Sequence, residues 1–227
     1  MSEESGLIYR ISGPVVTAVG ISPRMYEVVR VGDEGLMGEV IELHGEQSVI
    51  QVYEETSGVR PGEPVIRTGQ TLSVKLGPGL LTQIYDGIQR PLEDLEATMG
   101  VFITRGVDAD GLDLSKKWEF NASVSVGDEV SGGSIIGIVQ ETETVEHRIM
   151  VPPGKSGKVA SIQSGEFDVT TTVCTLEDGT EITMMQEWPV RTPRPFIRKN
   201  APDVPLITGQ RILDFLFPLA KGGTAGI

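Results

Sequence analysis

Short apolar runs separated by glycine-rich turns fill the first 70 residues of the chain. Runs of this length that recur about every 8–12 positions are typical of small β-barrels and sandwiches, and closing a sheet into a barrel removes its exposed edges. The pattern therefore predicts a small barrel or sandwich. Its predicted strands are Leu7–Ile11, Val15–Val19, Met25–Val31, Leu36–Leu43, Val49–Val52 and Val65–Ile66.

The pattern changes between Thr71 and Val107, where glycine and proline interrupt it. Gly77-Pro78-Gly79 interrupts regular secondary structure, and the apolar residues from Leu80 to Tyr85 are sufficient for one helical turn. Pro91 suits the first position of a helix, because the N–H that proline lacks would have no partner there. A short helix is predicted after it from the helical spacing of Leu92, Leu95 and Met99.

A second β-rich block spans about residues 111–188. Its best signal is a hairpin, since Asp178-Gly179 lies between two β-branched runs and Asp-Gly favours a tight turn. The predicted strands are Ile135–Val139, Arg148–Val151, Lys158–Ile162, Val169–Leu176 and Thr180–Met184. After the block, prolines between Trp188 and Pro195 predict an extended connector. Gln210–Phe217 is predicted to be a short apolar helix that needs a sheet to pack on.

The net charge of −13 is spread unevenly along the chain. Residues 1–70 carry 11 acidic and 5 basic residues, residues 71–107 carry 4 and 3, and residues 108–188 carry 15 and 5. Residues 189–227 reverse the sign, with 2 acidic and 6 basic residues. Nucleic-acid backbones require basic surface, so no nucleic acid is expected as a partner.

Several protein classes are disfavoured by composition. No apolar run approaches the ~18 residues of a membrane-spanning helix, and the acidic start Met1–Ser5 does not resemble a secretory signal. One cysteine, Cys174, fits a reducing cytosol, and its apolar neighbours predict a small core residue. His44 and His147 are far apart and have no second ligand at metal-binding spacing, so no metal site is expected. No G-x-S-x-G motif or Cys/His pair indicates a free-standing enzyme.

The stretch Pro205–Ile227, PLITGQRILDFLFPLAKGGTAGI, closely resembles the segment just before the phosphate-binding loop in the catalytic A subunit of archaeal and vacuolar-type rotary ATPases. Other segments resemble the same protein in the family's order, so the resemblance covers nearly the whole chain. They are Ile11–Val16 (first barrel strands), Gln51–Gly58 (barrel-closing loop), Leu76–Leu81 and Ile84–Leu92 (transition to the nucleotide domain), and Lys117–Trp118 and Trp188–Arg191 (borders of an inserted bulge).

The resemblance implies a mainly β chain with four regions. Residues 1–70 would form a six-stranded β-barrel, and residues 71–110 a linker and the first part of the nucleotide domain. Residues 111–188 would form the bulge, a β-rich inserted domain of the barrel-sandwich or lipoyl-like type. Residues 189–227 would return into the α/β P-loop nucleotide domain, of which the chain holds incomplete pieces.

The resemblance also implies a function, which is assembly within an archaeal-type ATP synthase that couples ATP synthesis or hydrolysis to ion translocation. The barrels of alternating A and non-catalytic B subunits form a crown, the bulge contacts the peripheral stalk, and the central stalk is a further partner. The complex lies on the cytoplasmic face of a membrane, and the complete catalytic polypeptide uses Mg-ATP or Mg-ADP.

We expect no functional-site residue in this chain, that is, no catalytic residue, no cofactor-binding residue and no metal ligand. In the family the phosphate-binding loop would lie just after Ile227, and its backbone N–H groups, lysine and hydroxyl hold the phosphates and magnesium. We therefore expect the 227-residue chain alone to be inactive.

A carrier domain is the alternative interpretation. The stretch Val126–Val159 resembles the flattened barrel of biotinyl and lipoyl domains, which commonly present a lysine in E-T-D-K-A at a hairpin tip. Here the corresponding residues are Glu141-Thr142-Glu143-Thr144, so Thr144 occupies the position of the modified lysine. The architecture could be shared, but the acceptor is absent, which disfavours carrier function.

Overall fold

The chain is mainly β, as the sequence predicts. A computed structural model describes residues 5–81, 83–100, 105–107, 109–196 and 198–226. Its internal contacts divide the chain into two units, one ending at Thr192 and the other beginning at Pro193. Within the described residues, no helix is both long and apolar enough to cross a membrane.

The first unit begins with a closed barrel of six antiparallel strands in the order β1-β2-β5-β4-β3-β6, which confirms the predicted barrel. Closure occurs where Gly6 of the first strand pairs with Val65 of the last. Alternate residues face inward, as with the buried Val16 and Ala18 of the second strand. The strands are β1 (Ser5–Ser12), β2 (Val15–Val19), β3 (Glu27–Val31), β4 (Leu36–His44), β5 (Gln47–Val52) and β6 (Pro64–Thr71).

The barrel interior is aliphatic, with one charged residue at its end. Val29, Val40 and Ile50 have no exposed surface. Glu27 is 1% exposed, and its carboxylate accepts hydrogen bonds from Arg67 Nε and Nη2 at 2.9 and 3.0 Å. Burial by itself would raise the pKa of Glu27, but the hydrogen bonds from Arg67 and from backbone N–H groups keep it below the usual value. This pair joins β3 to β6 and so supports closure.

The segment after the barrel contains strand β7 (Ser73–Leu76) and helix α1 (Leu92–Met99). The helix follows Pro91 as predicted. The prediction of a helical turn at Leu80–Tyr85 is wrong for the described residues of that stretch. Leu81 lies in a turn, and Tyr85 forms an isolated bridge with Pro91. Backbone pairing explains the difference, because Leu92 N donates to Ile84 O at 2.9 Å.

The second β-domain consists of two four-stranded sheets, in the orders β11-β10-β8-β13 and β15-β14-β12-β9. The hairpin predicted at Asp178-Gly179 joins β14 to β15. Three strands of this domain were not predicted (β8, β9 and β13), and two of them, β9 and β13, have only three residues each. The strands are β8 (Trp118–Ala122), β9 (Glu129–Ser131), β10 (Ile135–Gln140), β11 (Glu146–Met150), β12 (Ser156–Ile162), β13 (Gly165–Phe167), β14 (Thr172–Leu176) and β15 (Glu181–Thr183).

This sandwich has its own hydrophobic core, separate from that of the barrel. Phe120, Ile136 and Leu176 are at its centre, and Cys174 is buried there as predicted. Burial raises the pKa of the Cys174 thiol, which favours its neutral form. The core members of the barrel all lie between residues 8 and 65, and those of the sandwich between residues 118 and 184.

A two-stranded ribbon connects the sandwich to the barrel side of the chain. Strand β16 (Gln186–Pro189) pairs with β7 in antiparallel register, Gln186 opposite Leu76 and Pro189 opposite Ser73. The sequence predicted an extended connector from Trp188. Only Trp188 and Pro189 of that connector lie in the strand, and residues 190–192 form a turn. The pairing of β16 with a strand more than 100 residues earlier was not predicted.

The second unit contains strand β17 (Pro205–Leu206), helix α2 (Arg211–Leu216) and strand β18 (Leu219–Ala220), with β17 and β18 paired. The predicted helix is therefore confirmed with slightly narrower bounds. Asp214 accepts hydrogen bonds from the N–H groups of Thr208 and Gly209, both at 2.9 Å. Phe215 and Phe217 are 80% and 67% exposed.

Gly137 in β10 lies directly against the sandwich core. A Cβ atom at this position would be 2.2 Å from two ring atoms of Phe120 and 2.8 Å from the carbonyl oxygen of Asn121. We expect Gly137→Ala to lower the free energy of unfolding by about 3 kcal/mol, because the fully buried Phe120 has no room to move. Urea denaturation followed by circular dichroism measures this change.

Gly157→Ala in β12 is the matched control, because a Cβ atom there would be in ordinary contact with Leu176 at 3.7 Å. We expect this substitution to change the free energy of unfolding by about 1 kcal/mol or less. Equal effects of the two substitutions would contradict the packing argument.

Candidate functional site

The barrel is fastened to the segment that follows it by buried arginine–carboxylate pairs. Arg90, in the turn before α1, is 8% exposed. Its Nε atom donates to Asp86 Oδ2 at 2.7 Å, and its Nη1 atom donates to Glu54 Oε1 at 2.9 Å and to Val107 O at 2.8 Å. Glu54 belongs to the loop after β5. One guanidinium group therefore holds three separate stretches of chain together.

The ionisation of this cluster follows from its hydrogen bonds. Burial by itself would raise the pKa of Asp86, but hydrogen bonds from the backbone and guanidinium of Arg90 hold it below the usual value. Burial opposes the charge on Arg90, yet Asp86 and Glu54 raise the pKa of this guanidinium. Both partners of the Arg90–Asp86 pair are consequently charged at neutral pH.

Arg105 makes a second connection to the barrel. Its Nε and Nη2 atoms bind the Glu34 carboxylate at 2.6 and 2.8 Å. Its Nη1 atom donates to the carbonyl oxygens of Glu55 and Ser57, and the next residue, Gly106, donates its N–H to Glu54 Oε2 at 3.0 Å. Two loops of the barrel are thus held from one short segment.

A third arginine, Arg191, follows β16. Its Nε and Nη2 atoms form a bidentate pair with Glu39, at 3.0 and 2.6 Å. The guanidinium lies 4.2 Å from the ring centroid of Tyr26. Tyr53 also donates to Glu39 at 2.9 Å, and burial together with this carboxylate raises the pKa of Tyr53 to about 12. The chain that returns from the sandwich is therefore tied to the barrel wall.

A single carboxylate connects the sandwich to the segment after β7. Glu141 begins the turn between β10 and β11, and its side chain is 2% exposed. Its Oε1 atom accepts the N–H groups of Gly79 and Leu81, at 2.7 and 3.1 Å. Its Oε2 atom is 2.7 Å from His147 Nδ1. Burial would raise the pKa of Glu141, but His147 and the two backbone donors keep it low.

The described residues lack a metal-binding cluster. They contain no group of three or more His, Cys, Asp and Glu side chains able to hold a metal ion. His44 lies at the end of β4 and is paired with Glu42 at 2.8 Å, whereas His147 is paired with Glu141. The two histidines are therefore engaged separately, as their sequence separation suggested.

A cavity of about 600 Å³ lies beside the sandwich hairpin and is mostly acidic. Its charged lining residues are Asp94, Asp110, Asp113 and Glu141 with one lysine, Lys116, so it would repel a triphosphate. The sequence Gly154-Lys155-Ser156 matches the end of a phosphate-binding loop, but Ile149 stands where the first glycine would be, and a strand follows instead of a helix. Neither this cavity nor the Gly154–Ser156 stretch therefore has the features of a phosphate-binding site.

The arginine contacts are the functional feature that sequence reasoning missed. Arg90, Arg105 and Arg191 each lie in or beside a turn, where no periodicity predicts a partner. Apart from Asp86, which is four residues from Arg90, their carboxylate partners are 36 to 152 residues away in sequence. What these contacts do is hold the segments that leave and return to the barrel against the barrel itself.

Comparison with known proteins defines the class. Residues 8–69 match the family model described as "ATP synthase alpha/beta family, beta-barrel domain". Residues 109–191 match the model described as "ATPsynthase alpha/beta subunit barrel-sandwich domain". These two matches coincide with the closed barrel and the two-sheet sandwich. The chain belongs to the ATP synthase alpha/beta family.

Within that family, the chain is similar along its whole length to the N-terminal region of the A subunit of A-type ATP synthases. It is 61% identical to that protein of Methanosarcina barkeri over 225 residues, which cover 99% of this chain and 39% of the relative. Identity to the corresponding protein of Methanoculleus marisnigri is 64% over 223 residues, covering 98% and 38%. The chain spans about two fifths of the length of these relatives. The resemblance recognised in the sequence is confirmed.

Arg90 offers a direct test of the buried pairs. We expect Arg90→Met to lower the free energy of unfolding by about 3–5 kcal/mol, because Asp86 and Glu54 would be left charged and unpaired in a buried site. Urea denaturation at neutral pH measures the change. Arg60→Met removes an exposed arginine of the barrel and should change stability by about 0.5 kcal/mol or less. Similar losses for both variants would show that the Arg90 pairs do not stabilise the fold.

Proposed function

We propose that this chain is the N-terminal portion of the catalytic A subunit of an archaeal-type ATP synthase, a complex that couples ATP synthesis or hydrolysis to ion translocation. The main support for this proposal is an identity of about 60%, over essentially the whole chain, to the A subunit of A-type ATP synthases from several archaea. The part played by these residues is assembly and docking. Two β-domains with separate hydrophobic cores, the barrel being held to its flanking segments by arginine–carboxylate pairs, suit such a role.

The proposed domains are the barrel at 1–70, the linker and first part of the nucleotide domain at 71–110, the bulge at 111–188, and the return into the nucleotide domain at 189–227. Two separate hydrophobic cores support the division into barrel and bulge. The ribbon of β7 and β16 lies at the borders of these regions and joins them.

The proposed partners follow from the two β-domains. The barrel forms a crown with the barrels of alternating non-catalytic B subunits, and the bulge docks on the peripheral stalk. Residues 108–188 carry 15 acidic and 5 basic residues, which favours a basic partner and faster association at low salt. The central stalk is a further partner in the complex, which lies on the cytoplasmic face of the membrane.

The carrier interpretation is the weaker one. Thr144 lies in the turn between β10 and β11, the hairpin position at which a carrier domain presents its lysine. A threonine hydroxyl cannot form the amide bond through which biotin or lipoate is attached. The family model that matches the sandwich also describes a domain of ATP synthases. Assembly is therefore the function that the chain supports best.

Docking can be tested by charge reversal on the complete catalytic polypeptide. We expect Glu166→Lys together with Glu181→Lys, both on exposed residues of the sandwich, to weaken binding to purified peripheral-stalk proteins by about tenfold at low salt. Glu42→Lys together with Glu46→Lys makes the same charge change on the barrel and should have little effect. Binding is measured by biolayer interferometry at several salt concentrations. Stalk binding that survives deletion of residues 111–188 would refute this role.

The expectation that this portion alone does not bind Mg-ATP is tested separately. We expect the 227-residue chain to show no saturable heat when titrated with Mg-ATP in a calorimeter, because its described residues hold no lysine in a phosphate-binding loop. The complete catalytic polypeptide is the positive control. A stoichiometric site of micromolar affinity in the short chain would show that the inference is wrong.

A further inference from the structure

The turn between β10 and β11 is directed at the segment that leaves the barrel. In carrier domains the equivalent hairpin presents its lysine outward, but here Glu141, the first residue of the turn, is almost completely buried. Thr142 is partly buried, and the rest of the turn, residues 143–145, is exposed. The hairpin therefore combines an exposed tip with one inward-facing carboxylate.

The segment held by Glu141 packs closely on the sandwich. A Cβ atom at Gly77 would lie 3.1 Å from Met184 O, and one at Gly79 would lie 3.4 Å from the Trp118 ring. Gly79 also has a positive φ of 106°, a conformation that favours glycine. The backbone thus approaches the sandwich without a side chain between them, which leaves its N–H groups within reach of Glu141.

The hydrogen bonds that hold residues 79–81 to the sandwich converge on one carboxylate, which has one supporting side chain. Both hydrogen bonds from Gly79 and Leu81 end on Oε1 of Glu141. His147, on β11, contacts the other oxygen and is 25% exposed in its side chain. Contacts concentrated on one carboxylate form or break together, and local opening of this kind requires less free energy than global unfolding.

We propose that the β10–β11 hairpin is an intramolecular latch, in which Glu141, positioned by His147, holds residues 79–81 against the sandwich and can release them without unfolding either β-domain. In the closed state the latch sets the orientation of the sandwich on the β7–β16 ribbon. In the open state residues 79–81 leave the sandwich, and the sandwich turns relative to the barrel. Glu141 and His147 are positioning residues.

The test uses amide hydrogen exchange by NMR on the full 227-residue chain. We expect Glu141→Gln to accelerate exchange of the Gly79 and Leu81 amides by about tenfold or more, since each loses a charged acceptor. Exchange of the core amides of Phe120 and Ile136 should remain slow. Residual dipolar couplings should report a changed orientation of the sandwich relative to the barrel.

Glu143→Gln makes the same change of charge in the exposed part of the same turn and should leave these rates and couplings unchanged. His147→Ala should accelerate exchange at Gly79 and Leu81 less than Glu141→Gln does, and His147→Asn, whose amide can reach Glu141, should restore slow exchange. If Glu141→Gln also accelerates exchange of the core amides, the comparison of His147→Ala with His147→Asn decides whether residues 79–81 open without unfolding of the sandwich. Unchanged exchange at Gly79 and Leu81, or equal effects of the Glu141 and Glu143 substitutions, would overturn the proposal.

Discussion

The buried Arg90 cluster is the interaction that holds the barrel to the segment leading toward the sandwich. The barrel and the sandwich each bury a separate aliphatic core, so hydrophobic burial stabilises each domain but does not fix one against the other. Directional polar contacts must do that. Guanidinium–carboxylate pairs are suited to this, because the planar guanidinium of Arg90 donates in fixed directions to Asp86 and Glu54, and a misplaced partner would leave a buried charge uncompensated.

The acidic character of the chain has two consequences of opposite kind. Inside the junction, carboxylates such as Glu39 and Glu54 are buried and matched by arginines from the neighbouring segments. In the region of the sandwich, residues 108–188, acidic residues outnumber basic residues by 15 to 5. The first set determines the internal geometry, and the second produces a negative field that long-range association with a basic partner can use.

The sandwich shows that a fold and its chemistry are separable. The hairpin of a carrier domain is retained, but its tip carries Thr144 in place of a lysine and a buried glutamate at its first position. Function in this family is assigned from such residues and not from the two-sheet architecture alone.

The sequence by itself determined the local structure. Alternating apolar residues and glycine-rich turns predicted the barrel strands, Pro91 marked the start of α1, and Asp178-Gly179 located a hairpin, because these signals act over a few residues. The tertiary structure decided what lies far apart in sequence. It alone brought Arg191 to Glu39, Gly79 to Glu141 and β16 to β7. Such contacts depend on the complete path of the chain, and a turn residue carries no periodicity that would reveal its distant partner.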